Sequence, residues 1–317
     1  LLAALWKVFG ISPLLERALG LAVHLAPGLG AGMLAGRMLG RRVSWATIGV
    51  VLVWLVPLET VPYAWLIALV AAVAFCELCL RAKAQPALRH WFCAGVALGL
   101  VGCFRHDLFI YLVLALGAWA SLAWVAGGSS RQALPSFREC LWVGAGAMLP
   151  LIALWGPTLA LAPFGQIVDD LYRDQVRFVM PARTMPLPPL LRLVDTGSLP
   201  FRVPAFLASS WPGAVAMVLA APAVALLLGT AAHRSLLFNP LGVVLVGALA
   251  SAVIPQMAGR SDDFHALFAV TPALILVCSL GLRPSCSAGS GWRRARAIAA
   301  IAGTAALLLF PVREHAP

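Results

Sequence analysis

Charge is scarce in this chain, and acidic charge scarcer still: 11% of its 317 residues are charged, and only 12 are Asp or Glu. Soluble globular domains carry roughly 25% charged residues, so an ordinary water-solvated surface cannot be built from this composition. Without a soluble domain to carry it, the basic excess does not make a nucleic-acid-binding face. A disulfide framework is also missing. The seven cysteines (Cys76, Cys79, Cys93, Cys103, Cys140, Cys278 and Cys286) lie within or at the ends of apolar stretches. Cys76 and Cys79 form a single CxxC inside a helical run, with no second pair and no neighbouring His. The four converging ligands of a structural zinc site are therefore lacking, and the cysteines read as small apolar packing residues. Nor does the chain show the internal duplication of paired-repeat transporters.

What the chain has in excess is apolar length. Hydrophobic residues make up 62% of it, against roughly 45–50% in soluble domains. Ten apolar segments stand out, at 14–36, 43–57, 63–80, 91–104, 107–126, 139–162, 205–230, 236–256, 264–282 and 297–311. Several approach the roughly 20 residues that cross hydrocarbon, and three are nearer 15. The expected fold is all-α: a polytopic membrane protein of about ten transmembrane helices, residues 1–317 forming one transmembrane domain. The opening at Leu1 reads as that of a fragment lacking at least one N-terminal element. Residues 1–10 are amphipathic and end at Gly10, as an interfacial helix on the outer face would.

The net charge of +11 is distributed by loop. The gaps after the first, third, fifth, seventh and ninth segments hold 13 Lys and Arg against Glu77 and Glu139, a net of +11, while the remaining gaps and both ends hold 10 of each sign. Cytoplasmic loops keep Lys and Arg and translocated loops are depleted in them. Arg37, Arg41, Arg42, Arg81, Lys83, Arg89, Arg131, Arg138, Arg234, Arg283, Arg293, Arg294 and Arg296 are accordingly assigned inside. Gly127-Gly128-Ser129-Ser130 and 285–291 read as flexible inner connectors. On the outer side Pro57 and Pro62 punctuate a tight turn. Residues 163–204 are too polar to span and too long for a simple link. With Phe164, Leu171, Tyr172, Phe178, Met180 and Leu190 interleaved among charges, they read as an outer-face amphipathic loop covering a cavity between helices.

Ionisable groups at membrane depth are costly and mark function where they occur. Three clusters qualify, all on the outer side. The first, Phe104-Arg105-His106-Asp107-Leu108, interrupts a long apolar stretch. Arg105 and Asp107 can pair at a turn between helices, and His106 is of the residue type that serves in proton transfer or as a phosphate contact. The second holds Asp169, Asp170, Tyr172, Arg173, Asp174, Arg177 and Arg183. It reads either as solvated intrahelical pairs or as a clamp in which Arg173, Arg177 or Arg183 grips an anionic lipid phosphate. The third, Gly259-Arg260-Ser261-Asp262-Asp263-Phe264-His265, heads the ninth segment. Capping explains one of its acids but not Arg260 or His265.

The stretch running into FRHDLFIYLVLAL resembles the helix pair of GT-C class bacterial membrane glycosyltransferases, the group that includes protein mannosyltransferases and aminoarabinose transferases. GRSDDFHALFAVTPALIL is similar to a later helix of that group, and LLAALWKVFGISPLLERALGLAVHL to the amphipathic segment and helix after its first outer loop. The resemblance implies inverting transfer of a sugar from a polyprenyl-phosphate donor at the periplasmic or external face of the bacterial inner membrane. It carries over Arg105, Asp107, Arg260, Asp262 and His265 as candidate donor-phosphate or acceptor contacts; with His106 from the reading of the first cluster, Asp107, Asp262 and His265 are the candidate acid–base groups, and Arg105 and Arg260 candidate substrate contacts. The catalytic base of that family sits in the first outer loop, which has no counterpart in this sequence. A divalent cation on the donor phosphate is compatible with such chemistry, but no ligand set requires one. The expected partners are the lipid-linked donor and membrane lipids, not nucleic acid; oligomeric state is not specified. The rival class is a transporter or flippase of lipid-linked or small anionic substrates, and a noncatalytic membrane scaffold is a third.

Overall fold

The structure, a computed structural model, describes residues 2–39, 41–55, 64–169, 173, 239–259 and 271. The segments at 205–230 and 297–311 lie outside the described residues, as do 264–282 apart from Thr271 and most of the 163–204 loop. Among the described residues there are helices and no strand: α1 Leu2–Phe9, α2 Pro13–Leu39, α3 Arg41–Leu55, α4 Ala64–Ala84, α5 Leu88–Phe104, α6 His106–Ala126, α7 Gly128–Ala133, α8 Phe137–Leu161, α9 Phe164–Val168 and α10 Pro240–Gly259.

Four of these helices are long and apolar enough to cross a membrane: Pro13–Met38, Ala64–Ala84, His106–Val125 and Phe137–Leu161. Shorter apolar stretches at Val43–Leu52, Leu88–Phe104 and Pro240–Val253 pack beside them. Seven expected segments thus coincide with helices, but the ends differ. α4 runs on through Arg81 and Lys83, which the sequence reading put in a loop, because cations favour the C-terminal end of a helix dipole. The expected flexible connector at 127–130 is instead largely the short helix α7. Gly127 and Gly128 take φ of 71° and 53°, which reverse the chain at the end of α6, and Ser130 is then buried. α8 begins where Ser136 and Glu139 close a capping box, with the Ser136 amide donating to Glu139 Oε2 at 2.6 Å.

The helices alternate in direction. A Cβ added at Gly28, Gly32 or Gly36 of α2 would strike Leu52, Ile48 or Ser44 of α3, an antiparallel register. Gly30 meets Val73, and Arg37 meets Glu77, so α2 and α4 run parallel. Residues 85–87 turn the chain from α4 into α5. α10 begins beside the end of α2, with Gly242 on Met38, and continues past Cys76 of α4 at Leu245, so it runs against α2 and α4; on α6 its Gly247 meets the Trp119 ring, whose Nε1 donates to Ser251 Oγ at 3.0 Å. α2, α4 and α6 therefore run one way, and α3, α5, α8 and α10 the other. Arg37, Arg41, Arg81, Lys83, Arg89, Arg131 and Arg138 all gather at one end of the bundle, and the α5–α6 corner sits at the opposite end.

α5 and α8 run parallel and approach most closely. Gly95 lies on the backbone of Val143 and Ala147, Gly99 on Ala147 and Pro150, and Gly146 on the backbone of Phe92 and Val96. Small residues let helix backbones meet where no hydrophobic driving force acts in lipid. Gly146→Val is expected to lower stability by about 1–3 kcal/mol through overpacking. Gly144→Val, whose added Cβ meets nothing within 4 Å, is the matched control; thermal melts in detergent compare the two. On the open face of α2, Leu21, Leu25, Leu29 and Met33 recur every four residues and are exposed. That apolar stripe is suited to hydrocarbon rather than water.

Candidate functional site

α5 stops at Phe104 because Arg105 leaves helical geometry, with φ −148° and ψ 90°. Its amide still closes on the Val101 carbonyl at 2.7 Å, and its own carbonyl accepts from the Phe109 amide at 3.1 Å. A single extended residue thus joins two helices. The corner lies at the bundle end, where a charged side chain can reach headgroups and water.

Arg105 and Asp107 form a bidentate pair across this corner. Arg105 Nε donates to Asp107 Oδ1 at 2.9 Å and Nη2 to Oδ2 at 2.5 Å, which is the geometry that matches guanidinium to carboxylate. Asp107 Oδ1 also accepts from the Leu108 amide at 2.9 Å, in the first turn of α6 where negative charge is favoured. The two side chains are 28% and 26% exposed, so the pair is neither sealed in the core nor freely solvated. The guanidinium carbon also lies 5.2 Å from the centre of the Trp65 ring at the start of α4, a cation–π distance. His106 follows at intermediate exposure. The corner offers a fixed cation on an aromatic face, a carboxylate that orients it and an imidazole beside both. Planar guanidinium matches phosphate as it matches carboxylate.

The structure therefore brings Arg105, His106 and Asp107 together, with the Arg105–Asp107 pairing the sequence had allowed. Arg173 is held by Asp169 at 2.6 Å in an exposed i,i+4 pair, which favours the solvated reading for that member of the second cluster. Asp170, Tyr172, Asp174, Arg177, Arg183, Arg260, Asp262, Asp263 and His265 lie outside the described residues. α10 ends at Gly259 on the same end of the bundle as the corner.

Sequence reasoning missed three groups. Trp65 is buried under Arg105, which no spacing within its own segment announces. Glu77 was counted among loop charges, yet it is buried within α4 and binds Arg37 of α2. An acid inside the apolar run 63–80 was the available signal. His24 is buried in α2, one ring nitrogen 2.9 Å from the Gly20 carbonyl oxygen and the other without a partner. Cys76 and Cys79 are buried in α4, and Cys76 Sγ lies 3.9 Å from the Leu245 carbonyl of α10. Among the described residues no three His, Cys, Asp or Glu side chains converge as a metal site.

Comparison with protein-family models, curated proteins and solved structures finds no match to this chain.

Proposed function

We propose that the chain belongs to a bacterial inner-membrane glycosyltransferase of the GT-C type, moving a sugar from a polyprenyl-phosphate donor to an acceptor at the external face. The observation that carries this reading is the Arg105–Asp107 pair on Trp65 at the end of the bundle opposite its basic end. A lipid-linked sugar places its phosphate at headgroup level. Arg105 is then positioned to neutralise the charge that develops as the anomeric C–O bond to phosphate breaks. The acceptor hydroxyl attacks the anomeric carbon from the opposite side and its proton passes to a base. His106 is the better base at the corner, because the Asp107 carboxylate is already engaged by two charge-assisted bonds and acts as the positioning residue for Arg105.

A transporter or flippase is the second reading, and it draws on a different observation. Glu77, buried in α4, pairs with the partly exposed Arg37 of α2, and a buried acid in an apolar helix is the kind of group that marks substrate or proton paths. Glu77 lies seven residues from the end of α4, roughly 10 Å by helical rise, so the pair is near the basic end rather than at the midplane where transporter sites fall. The two readings separate in membranes supplied with labelled polyprenyl-phosphate sugar. Glycosyl transfer yields a new covalent product and free lipid phosphate, whereas flipping changes only the leaflet in which the intact donor resides.

A further inference from the structure

Among the described residues, three tryptophans face outward at the basic end of the bundle. Trp45 in the first turns of α3, Trp124 in the last turn of α6 and Trp142 in the second turn of α8 are 63%, 55% and 39% exposed. The alternating helix directions bring them to a similar depth, one short step inside the helix ends. Just beyond them stand Arg41, Arg81, Arg89 and Arg138, all exposed. Among the described residues the acids of this end are already engaged, Glu77 with Arg37 and Glu139 in the cap of α8.

Two further cations are held in place before any ligand arrives. Arg131 of α7 stacks with its guanidinium carbon 3.6 Å from the centre of the Trp124 ring. Lys83 Nζ donates to the Leu134 carbonyl at 3.2 Å, and the Leu134 amide bonds back to the Arg131 carbonyl at 3.2 Å. Lys83 is thus tied to the backbone at the end of α7, and the Arg131 guanidinium of the same short helix lies on the exposed Trp124 indole. Tryptophan seeks the boundary between hydrocarbon and headgroups, and the fixed negative charge at that boundary is lipid phosphate.

We propose that this end of the bundle binds anionic phospholipid, with a lipid phosphate seated between Lys83 and Arg131 at the edge of the Trp124 ring. The site is independent of the Arg105 corner and of the transferase reading. The ordered cations lose little side-chain freedom on binding, and the belt aligns the acyl chains with the apolar faces of α6 and α8.

The test reconstitutes the full chain in phosphatidylcholine bilayers containing a small, equal mole fraction of either brominated phosphatidylglycerol or brominated phosphatidylcholine, and reads tryptophan quenching. Enrichment of the anionic lipid around the protein by about threefold or more over the zwitterionic one is expected. Lys83→Gln combined with Arg131→Gln should return the two lipids to parity with helical circular dichroism unchanged, since both side chains are exposed. Equal quenching by both lipids in the unsubstituted protein overturns the proposal, as does an excess that survives the double substitution. Loss of the excess on adding inorganic phosphate at constant ionic strength would assign the seat to a free anion and equally overturn it.

Discussion

Arg37→Ala is expected to destabilise the folded chain towards the lower end of the ~3–5 kcal/mol that follows from breaking a buried ion pair. The lower end applies because the Arg37 side chain is 41% exposed and its pairing is partly screened, whereas that of Glu77 is only 11% exposed. Glu77 Oε2 is buried without a hydrogen-bond partner, so removing Arg37 takes away the charge that compensates this carboxylate. The penalty is thus the cost of an orphaned charge, not the worth of the pair. Glu77→Gln with Arg37 intact should cost less, because the guanidinium reaches solvent. Replacing both residues with methionine should recover most of the stability lost in the single variant, since a well-packed apolar pair can match a buried ion pair. Unfolding midpoints in mixed detergent measure all three. A change below about 0.5 kcal/mol for Arg37→Ala, the level of an exposed pair, would show that the α2–α4 contact does not depend on this bridge.

The second large effect is on activity. Arg105→Ala is expected to lower glycosyl transfer by at least about 100-fold, the scale of losing one preorganised group that meets transition-state charge. Its effect on stability should stay within about 1 kcal/mol, because the pair is partly exposed at a helix corner. That contrast separates a catalytic from a structural role. Arg105→Lys keeps the charge but not the fork that holds Asp107 at two points, so only partial recovery is expected. Asp107→Asn leaves the guanidinium in place but loosens its orientation, and should lower kcat more than it raises KM. A fall confined to KM would instead mean that the corner binds donor without stabilising the displacement.

The helices were largely legible in the sequence, because apolar length is a strong signal and the described spans leave little polar interruption. The ends were not. α4 carries Arg81 and Lys83 inside its last turn, and hydropathy ends a segment where dipole and capping let the helix continue. Two glycines misled at 127 and 128: they signal flexibility by composition, yet their positive φ angles build a tight reversal into α7. The Arg105–Asp107 pair was legible because the two charges break an apolar run two residues apart, and local pairing needs no tertiary knowledge. Trp65 and Glu77 were missed because their partners lie 40 residues away in each case. Glu77 stood out as an acid in an apolar run, but only the register of packed helices reveals either partner, and the glycine contacts that set this register have no sequence signature for their partner.

Sugar transfer by membranes carrying the chain, offered a panel of labelled polyprenyl-phosphate donors and compared with Arg105→Ala at equal protein level, tests the central claim most directly. A labelled product formed by the unsubstituted chain and reduced at least about 100-fold by the substitution is the predicted result. Equal transfer by both proteins, or labelled donor crossing the bilayer intact with no product formed by either, would contradict it.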